Sequence, residues 1–267
     1  MGQADAVGFL PQAVTKAKEA DRAKTEFVSI ASHELLTPLA GISWQVESLL
    51  SRDVGTINKA QNQILKNVQA ATRNMIELID ALLSASRLEL GTFIIEPVNV
   101  RIGDLVDEVV RDLSGHIKAK RLRVNMSVPK TLPKILADQK LTMMIIENVI
   151  SNAVKYTPAG GKIRISLAQS NGREKMAGKR PSKGSLVFSV ADTGYGIPRA
   201  EQEKMFTRMF RADNVRKLKI RGTGLGLYVV KSVLEAFGGS IWFESEENKG
   251  STFCVEFPRA GTIKSKG

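Results

Sequence analysis

Apolar residues recur every three to four positions over the first third of the chain. Further on they alternate in short runs, so two textures meet near residues 92–93. From about Pro11 to Ser51 the pattern predicts one long helix, with Val28, Leu35, Ile42 and Leu49 seven apart in a coiled-coil seam. A second helix is predicted from about Thr56 to Glu89. Ile57, Ile64, Ala71, Leu78 and Ala85 form one of its seams and Gln61, Val68, Met75 and Leu82 the other, widened by Leu65, Ile76, Ile79 and Leu83. Ser51-Arg52-Asp53-Val54-Gly55 supplies the turn. Such an α-helical hairpin carries more apolar surface than two helices bury alone. Pairing two copies into a four-helix bundle removes the excess, so a homodimer is expected.

Gly91 ends the second helix, and Glu96-Pro97-Val98 opens the second texture. The pattern predicts a short helix near Ile102–Lys118, a strand near Arg123–Val128 and a helix near Leu141–Lys155. Strands follow at Lys162–Gln169 and Ser185–Ala191, joined by the polar loop 170–184, which reads as a solvated hairpin excursion. A helix after Gly224 and a hairpin of Gly239–Glu244 with Thr252–Phe257 complete the chain. Because strands and helices do not alternate strictly, an α+β sandwich with helices over one sheet face is expected. The divisions are then a helical lead-in (1–23), the hairpin domain (24–92), the sandwich domain (93–260) and a tail (261–267).

Composition changes this picture little. The 267 residues are 43% hydrophobic and 25% charged, as in a soluble globular protein. No run reaches the roughly 18 apolar residues of a membrane span. The one cysteine, Cys254, fits a reducing compartment and reads as strand packing. A net charge of +12 raises the question of nucleic acid. Much of it is scattered, with local concentrations at Arg173–Lys183, Arg208–Arg221 and Lys264/Lys266. With aromatics at 6% and no reading helix or stacking strand, no nucleic-acid partner is expected. A basic surface equally suits an acidic protein or a nucleotide.

Candidate chemistry begins at His33, one of two histidines, within Phe27-Val28-Ser29-Ile30-Ala31-Ser32-His33-Glu34-Leu35-Leu36-Thr37-Pro38-Leu39. It stands two positions before the seam residue Leu35, which puts it on the outer face, with Glu34 next and Thr37 one turn on. Pro38 clashes with the carbonyl of Glu34 and predicts a kink. An imidazole with a pKa of about 6.5 is mostly neutral near pH 7 and suited to attack on phosphorus. Glu34 is placed to accept a hydrogen bond from the other ring nitrogen. A lone histidine here would read as a polar residue on a wet face, as His116 does; the segments downstream change that.

Four such segments follow in order. Asn148 and Asn152 lie four apart on one helix face, and their amide oxygens suit Mg²⁺. Asp192-Thr193-Gly194-Tyr195-Gly196-Ile197 follows a strand and offers a carboxylate to an exocyclic amine such as that of adenine. Phe206-Thr207-Arg208-Met209-Phe210-Arg211 comes next, and Gly222-Thr223-Gly224-Leu225-Gly226-Leu227 opens a helix, where bare backbone can approach phosphates. Lys155, Arg208 and Arg211 add cations. One such glycine run would signify only a tight turn; four in this order are specific, and the arrangement is neither Walker-type nor Rossmann-type.

Together these segments, with the closing Gly250-Ser251-Thr252-Phe253, resemble the catalytic core of bacterial two-component sensor histidine kinases from about Lys24 to Pro258. The resemblance implies a dimerisation and histidine-phosphotransfer hairpin followed by a Bergerat-type ATP-binding sandwich. It implies that His33 takes the γ-phosphoryl group of Mg·ATP and passes it to an aspartate in a response-regulator receiver domain. Glu34 would be the base, and Thr37 would position water when the same site dephosphorylates the regulator. Asn148, Asn152 and Lys155 would serve Mg²⁺ and phosphates, Tyr156 would pack near the nucleotide, and Asp192 with Gly194 and Gly196 would read adenine. Arg208 and Arg211 would contact phosphates, and roughly 211–221 would form a mobile lid, with Gly222, Gly224 and Gly226 as its hinge and phosphate cradle and Thr223 and Leu225 beside them in the nucleotide site.

A cytoplasmic site of action follows from the resemblance, including as the cytoplasmic portion of a longer membrane-bound sensor. Related hydrolytic ATPases place a carboxylate where Asn148 stands; Glu147 beside it is turned about 100° away along the helix. The family commonly has arginine at Leu36, glycine at Arg221 and phenylalanine at Met209. A phosphatase or adaptor of the same fold, and an ATPase of the topoisomerase, chaperone or repair class, are the alternatives. The histidine segment and Asn148 oppose the latter.

Overall fold

The structure, a computed structural model, describes residues 34–51, 54–89, 96–218, 220 and 222–258, with side chains beyond Arg73 in the second helix only at 75, 76 and 79. The chain divides into two compact units, Met1–Phe93 and Ile94–Gly267.

In the first unit α1 is helical over 34–50, through Pro38, and α2 spans Lys59–Glu89. Asn58 and Gln61 set the start of α2: each backbone N–H donates to the other's side-chain oxygen at 2.9 Å, a reciprocal capping box. The seam differs from expectation. On α1 the buried residues are Leu39 and Val46, flanked by half-buried Leu36, Ser43 and Leu50. On α2 Thr72 is buried among half-buried Asn62, Leu65, Gln69, Ile76 and Ile79. The predicted line Leu35, Ile42 and Leu49 is 51%, 42% and 38% exposed, and Ile64, Val68 and Met75 are exposed too. One chain buries a narrow stripe, and the adjacent apolar stripe, one residue (about 100°) around each helix, faces solvent. Val28 and the predicted helix before 34 lie outside the described residues, as do the side chains of Leu78, Leu82, Leu83 and Ala85. No helix among the described residues is long and apolar enough to cross a membrane.

The second unit runs β1 (Pro97–Val100), α3 (Ile102–Asp112), α4 (Ser114–Ala119), β2 (Arg123–Ser127), β3 (Ile135–Asp138), α5 (Gln139–Tyr156), β4 (Lys162–Gln169) and β5 (Leu186–Asp192). A 3₁₀ turn (Arg199–Lys204), α6 (Asp213–Lys217), α7 (Gly226–Ala236), β6 (Ser240–Glu246) and β7 (Gly250–Phe257) complete it. The five-stranded sheet has the order β2-β4-β5-β7-β6, with β2 parallel to β4 and every other pair antiparallel. Ile163, Ile165 and Leu167 alternate inward along β4. The apolar face of α5 (Ile145, Ile146, Val149, Ile150) packs on the neighbouring strand β5 and against α3 and α7, which bury Val106 and Val230 and Val233.

The expected single helix over 102–118 breaks at Leu113, where the buried stripe Ile102, Leu105, Val106, Val109 ends and α4 buries nothing. A second, two-stranded sheet of β1 with β3 was not anticipated; it pairs Pro97 with Asp138 through Val100 with Ile135. Loop 170–184 is the expected hairpin excursion, exposed along most of its length, but it is also tied down. It folds as a strap across β6 and β7. Trp242 Nε1 donates to the Met176 carbonyl at 2.7 Å, and Lys179 Nζ donates to Ser240 Oγ at 2.7 Å while sitting 4.8 Å above the Trp242 ring. Glu256, buried in β7, accepts from Ser182 N–H at 2.6 Å and from Ser240 Oγ at 3.0 Å. Burial raises the Glu256 pKa, but these donors outweigh it and hold the carboxyl below its ordinary value.

Candidate nucleotide cradle and phospho-acceptor helix

Helix α5 is fixed at both ends. At its start, Asp138 accepts from Leu141 N–H at 3.0 Å through Oδ1 and from Glu96 N–H at 3.1 Å through Oδ2. One side of the helix is core; Asn148, Asn152, Lys155 and Tyr156 are half-buried on the other. Asn148 Nδ2 donates to the Met144 carbonyl at 2.9 Å. Its amide nitrogen is thereby spent on its own helix, and Oδ1 faces Gly226 so closely that a methyl group at residue 226 would strike it. A methyl group at residue 222 would lie 2.5 Å from Lys155 Nζ and 3.5 Å from Tyr156 Oη. One at residue 194 would lie 2.5 Å from Asp192 Oδ1 and 2.6 Å from the Tyr156 carbonyl. The bare backbone at 194, 222 and 226 thus meets Asn148, Lys155, Tyr156 and Asp192 in one cradle.

Asp192 ends β5. Burial pushes its carboxyl up to about 6, against the opposing pull of backbone hydrogen bonds from Gly194, at 2.7 Å, and Ser251. Burial also raises the Tyr156 phenol, offset in part by the charge of Arg211. Arg211 donates through Nη2 to the Ile220 carbonyl, while its Nε is buried with no hydrogen-bond partner in the structure.

The remaining predicted residues are placed differently. Arg208 turns to α7, donating to Tyr228 Oη at 3.0 Å with its guanidinium 5.0 Å from the ring centre. Gly224, at φ +74°, is pressed against the backbone of Met209 and Phe210, and Gly196, at φ +61°, against the Glu246 carbonyl. Both serve tight turns that a side chain would disrupt. Thr223 Oγ1 accepts from Leu225 N–H at 3.2 Å, the Leu225 carbonyl accepts from Val229 N–H at 2.9 Å, and the Leu225 side chain is core.

In the first unit Glu34 and Thr37 are exposed on α1; His33 lies outside the described residues. Trp44, seven residues after Thr37 and on the same helical face, is 71% exposed.

Among the described residues no three His, Cys, Asp or Glu side chains gather as a metal site. Mg²⁺ fits the cradle in another way, since a hard cation that keeps few protein ligands can use an amide oxygen together with phosphate oxygens.

Residues 23–91 match the His Kinase A (phospho-acceptor) domain, and residues 137–261 match the histidine kinase-, DNA gyrase B- and HSP90-like ATPase domain. The chain belongs to the sensor histidine kinases. It has the form of their catalytic core, a helical region followed by a sheet-based ATPase domain. It is 30% identical over 236 residues to the adaptive-response sensory kinase SasA of Synechococcus sp. (strain JA-3-3Ab), covering 88% of this chain and 59% of the relative. It is 31% identical over 250 residues to the sensor histidine kinase WalK of Bacillus subtilis, covering 92% of this chain and 38% of the relative. This core therefore spans about two fifths to three fifths of those curated relatives. Among solved structures, full-length ShkA in complex with AMPPNP aligns with a TM-score of 0.69 at 26% identity, covering 89% of this chain and 46% of that one. The Acinetobacter baumannii histidine kinase AdeS aligns at 0.57 and 18% identity, covering 85% and 98%, a likeness of fold.

Proposed function

We propose that this kinase core works as a homodimer that phosphorylates its own His33 from Mg·ATP and passes the phosphoryl group to an aspartate of a response-regulator receiver domain. The observation that carries this reading is the cradle itself, with an amide at Asn148, a half-buried carboxylate at Asp192 and bare backbone at 194, 222 and 226. The AMPPNP bound to a similar kinase supports the choice of ligand.

In this reading residues 24–92 carry the phospho-acceptor and residues 93–260 the nucleotide, with 1–23 a helical lead-in. Asp192 accepts a hydrogen bond from the exocyclic amine of adenine, and Gly194 leaves room for the ring beside it. Lys155, Tyr156, Arg211 and the backbone N–H groups at the start of α7 face the phosphates. Asn148 and Asn152 would hold Mg²⁺, which supplies neutralisation of charge on the phosphate oxygens when bound. Neutral His33 attacks the γ-phosphorus; an N–P bond forms as the P–O bond to ADP breaks, and Glu34 takes the ring proton. The receiver aspartate then displaces histidine from phosphorus to form an acyl phosphate. Asn148 has no basic atom with which to deprotonate water, so ATP is reserved for the histidine. Thr37, exposed one turn from His33, would orient water against a phosphorylated regulator. Both ATP and the regulator place this work in the cytoplasm.

The exposed stripes Leu35/Ile42/Leu49 and Ile64/Val68/Met75 are the surface a second copy would cover. Trp44 lies on the opposite side of α1, with Thr37, and is the anchor for the receiver domain. Trp44→Ala should slow phosphotransfer to a cognate receiver domain at least tenfold while leaving self-phosphorylation within twofold of wild type; transfer time courses from pre-labelled protein measure it.

Stoichiometry tests the whole reading. Mg·ATP should yield ADP in step with protein-bound phosphate, stopping near one phosphate per chain. Continued release of free phosphate with no protein-bound label would identify a hydrolase instead.

A further inference from the structure

The carbonyl end of α5 has an unusual closure. A helix leaves its last four carbonyls without intrahelical partners, and here each has one. Ala153 O accepts from Thr157, through both its backbone N–H at 3.1 Å and its hydroxyl at 2.6 Å. Tyr156 O accepts from Tyr195 N–H at 3.3 Å. Val154 O and Lys155 O both accept from Lys120 Nζ at 2.8 Å, and the same ammonium reaches Thr157 O at 3.0 Å. Lys120 is held from its own side as well: it caps α4 through His116 O, and its carbonyl takes Gly160 N–H at 2.9 Å from the turn after α5. One residue therefore grips the helix end and the following turn at four points. Burial depresses the Lys120 pKa, yet no carboxylate is paired with it among the described residues; its partners are backbone oxygens.

We propose that Lys120 is a positioning residue for phosphate binding: its ammonium closes the end of α5 and thereby fixes Lys155 and Tyr156 against the Gly222 backbone. This rests on the nucleotide reading above. The carbonyls it holds belong to Lys155 itself and to residues on either side of the Lys155–Tyr156 pair. A positive charge there also complements the negative end of the helix. Without it, three carbonyls lose their donor, and the last turn of α5 is free to unwind by one residue. That shift moves Lys155 Nζ off the backbone that would cradle phosphates. Asp192, on β5 and held by Gly194 and Ser251, is left where it is.

The consequence is a split between two ligands of one site. Calorimetric affinities of the full chain for Mg·ATP and for adenosine are compared in wild type, Lys120→Met and Lys120→Arg, with melting temperatures recorded alongside. In Lys120→Met, ATP affinity should fall about tenfold or more while adenosine affinity stays within twofold, and Lys120→Arg, which restores charge and donors, should recover most of the loss. Should the methionine variant fail to fold, Lys120→Gln carries the same comparison. A parallel loss of both ligands, an unchanged ATP affinity, or an arginine variant no better than methionine would overturn the proposal. A wild type that binds neither ligand would overturn the nucleotide reading, and the proposal with it.

Discussion

Asp192→Asn should bind ATP and adenosine at least a hundredfold more weakly than wild type and yet melt at a higher temperature. The two effects have one cause. Burial raises the Asp192 carboxyl to about 6 in the folded chain, while an unfolded aspartate titrates near 3.9. The folded state thus holds this proton more tightly. The stability it contributes is fully present below about pH 4 and is lost as pH rises through about 6. At pH 7 the ionised group costs about 3 kcal/mol, and an amide of the same shape avoids that cost while still accepting from Gly194. What the amide lacks is a full charge facing an amine in a half-buried site, where charged hydrogen bonds are strongest. Adenosine, which has no phosphates to titrate, gives a clean readout. Its affinity for the wild type should be level above pH 6 and fall tenfold per pH unit below, whereas the asparagine variant should show no such slope. A destabilised variant with normal affinity would mean that Asp192 is a structural carboxylate.

Gly226→Ala should leave folding intact and cut phosphorylation about a hundredfold. Alanine is no worse than glycine at the first position of α7, so the helix itself gains slightly. The new methyl group meets Asn148 Oδ1, the end of a short side chain that can swing aside, and no backbone atom. Stability should change by less than about 1 kcal/mol. The displaced amide oxygen is the one assigned to Mg²⁺, and Mg²⁺-dependent self-phosphorylation should drop about a hundredfold, consistent with loss of one transition-state contact. Gly250→Ala is the control of opposite kind: residue 250 sits at φ +116° with its Cβ position against the Asp192 carbonyl, so that variant should lose stability outright.

Local pattern revealed much of this site. Strand β4 alternates so regularly that Lys162–Gln169 was bounded by sequence alone, and Asn148 and Asn152 at i and i+4 needed only a helix to share a face. What stayed hidden depends on contacts far apart in the chain. β1 meets β3 across about 38 residues, and each strand is only four residues long. The strap over β6 and β7 is anchored by Glu256, 74 residues from Ser182, and nothing in a lysine-rich loop announces a buried carboxylate waiting for it. Arg208 pairs with Tyr228 and Lys120 with the end of α5 for the same reason. The hairpin illustrates a different limit. A heptad pattern marks apolar stripes but does not say which one a single chain buries. Leu39 and Val46 fill that stripe, while Leu35, Ile42 and Leu49 are left for another surface.

The central claim is that His33 accepts the γ-phosphoryl group of an ATP molecule held by the Asn148–Asp192 cradle. Purified chain, His33→Gln and Asp192→Asn are incubated with γ-labelled ATP and Mg²⁺, and any protein-bound label is tested for stability in acid and alkali. The account predicts acid-labile, alkali-stable label on the wild type, none on His33→Gln despite unchanged ATP affinity, and little on Asp192→Asn. Label that persists in His33→Gln, or that survives acid, would contradict it.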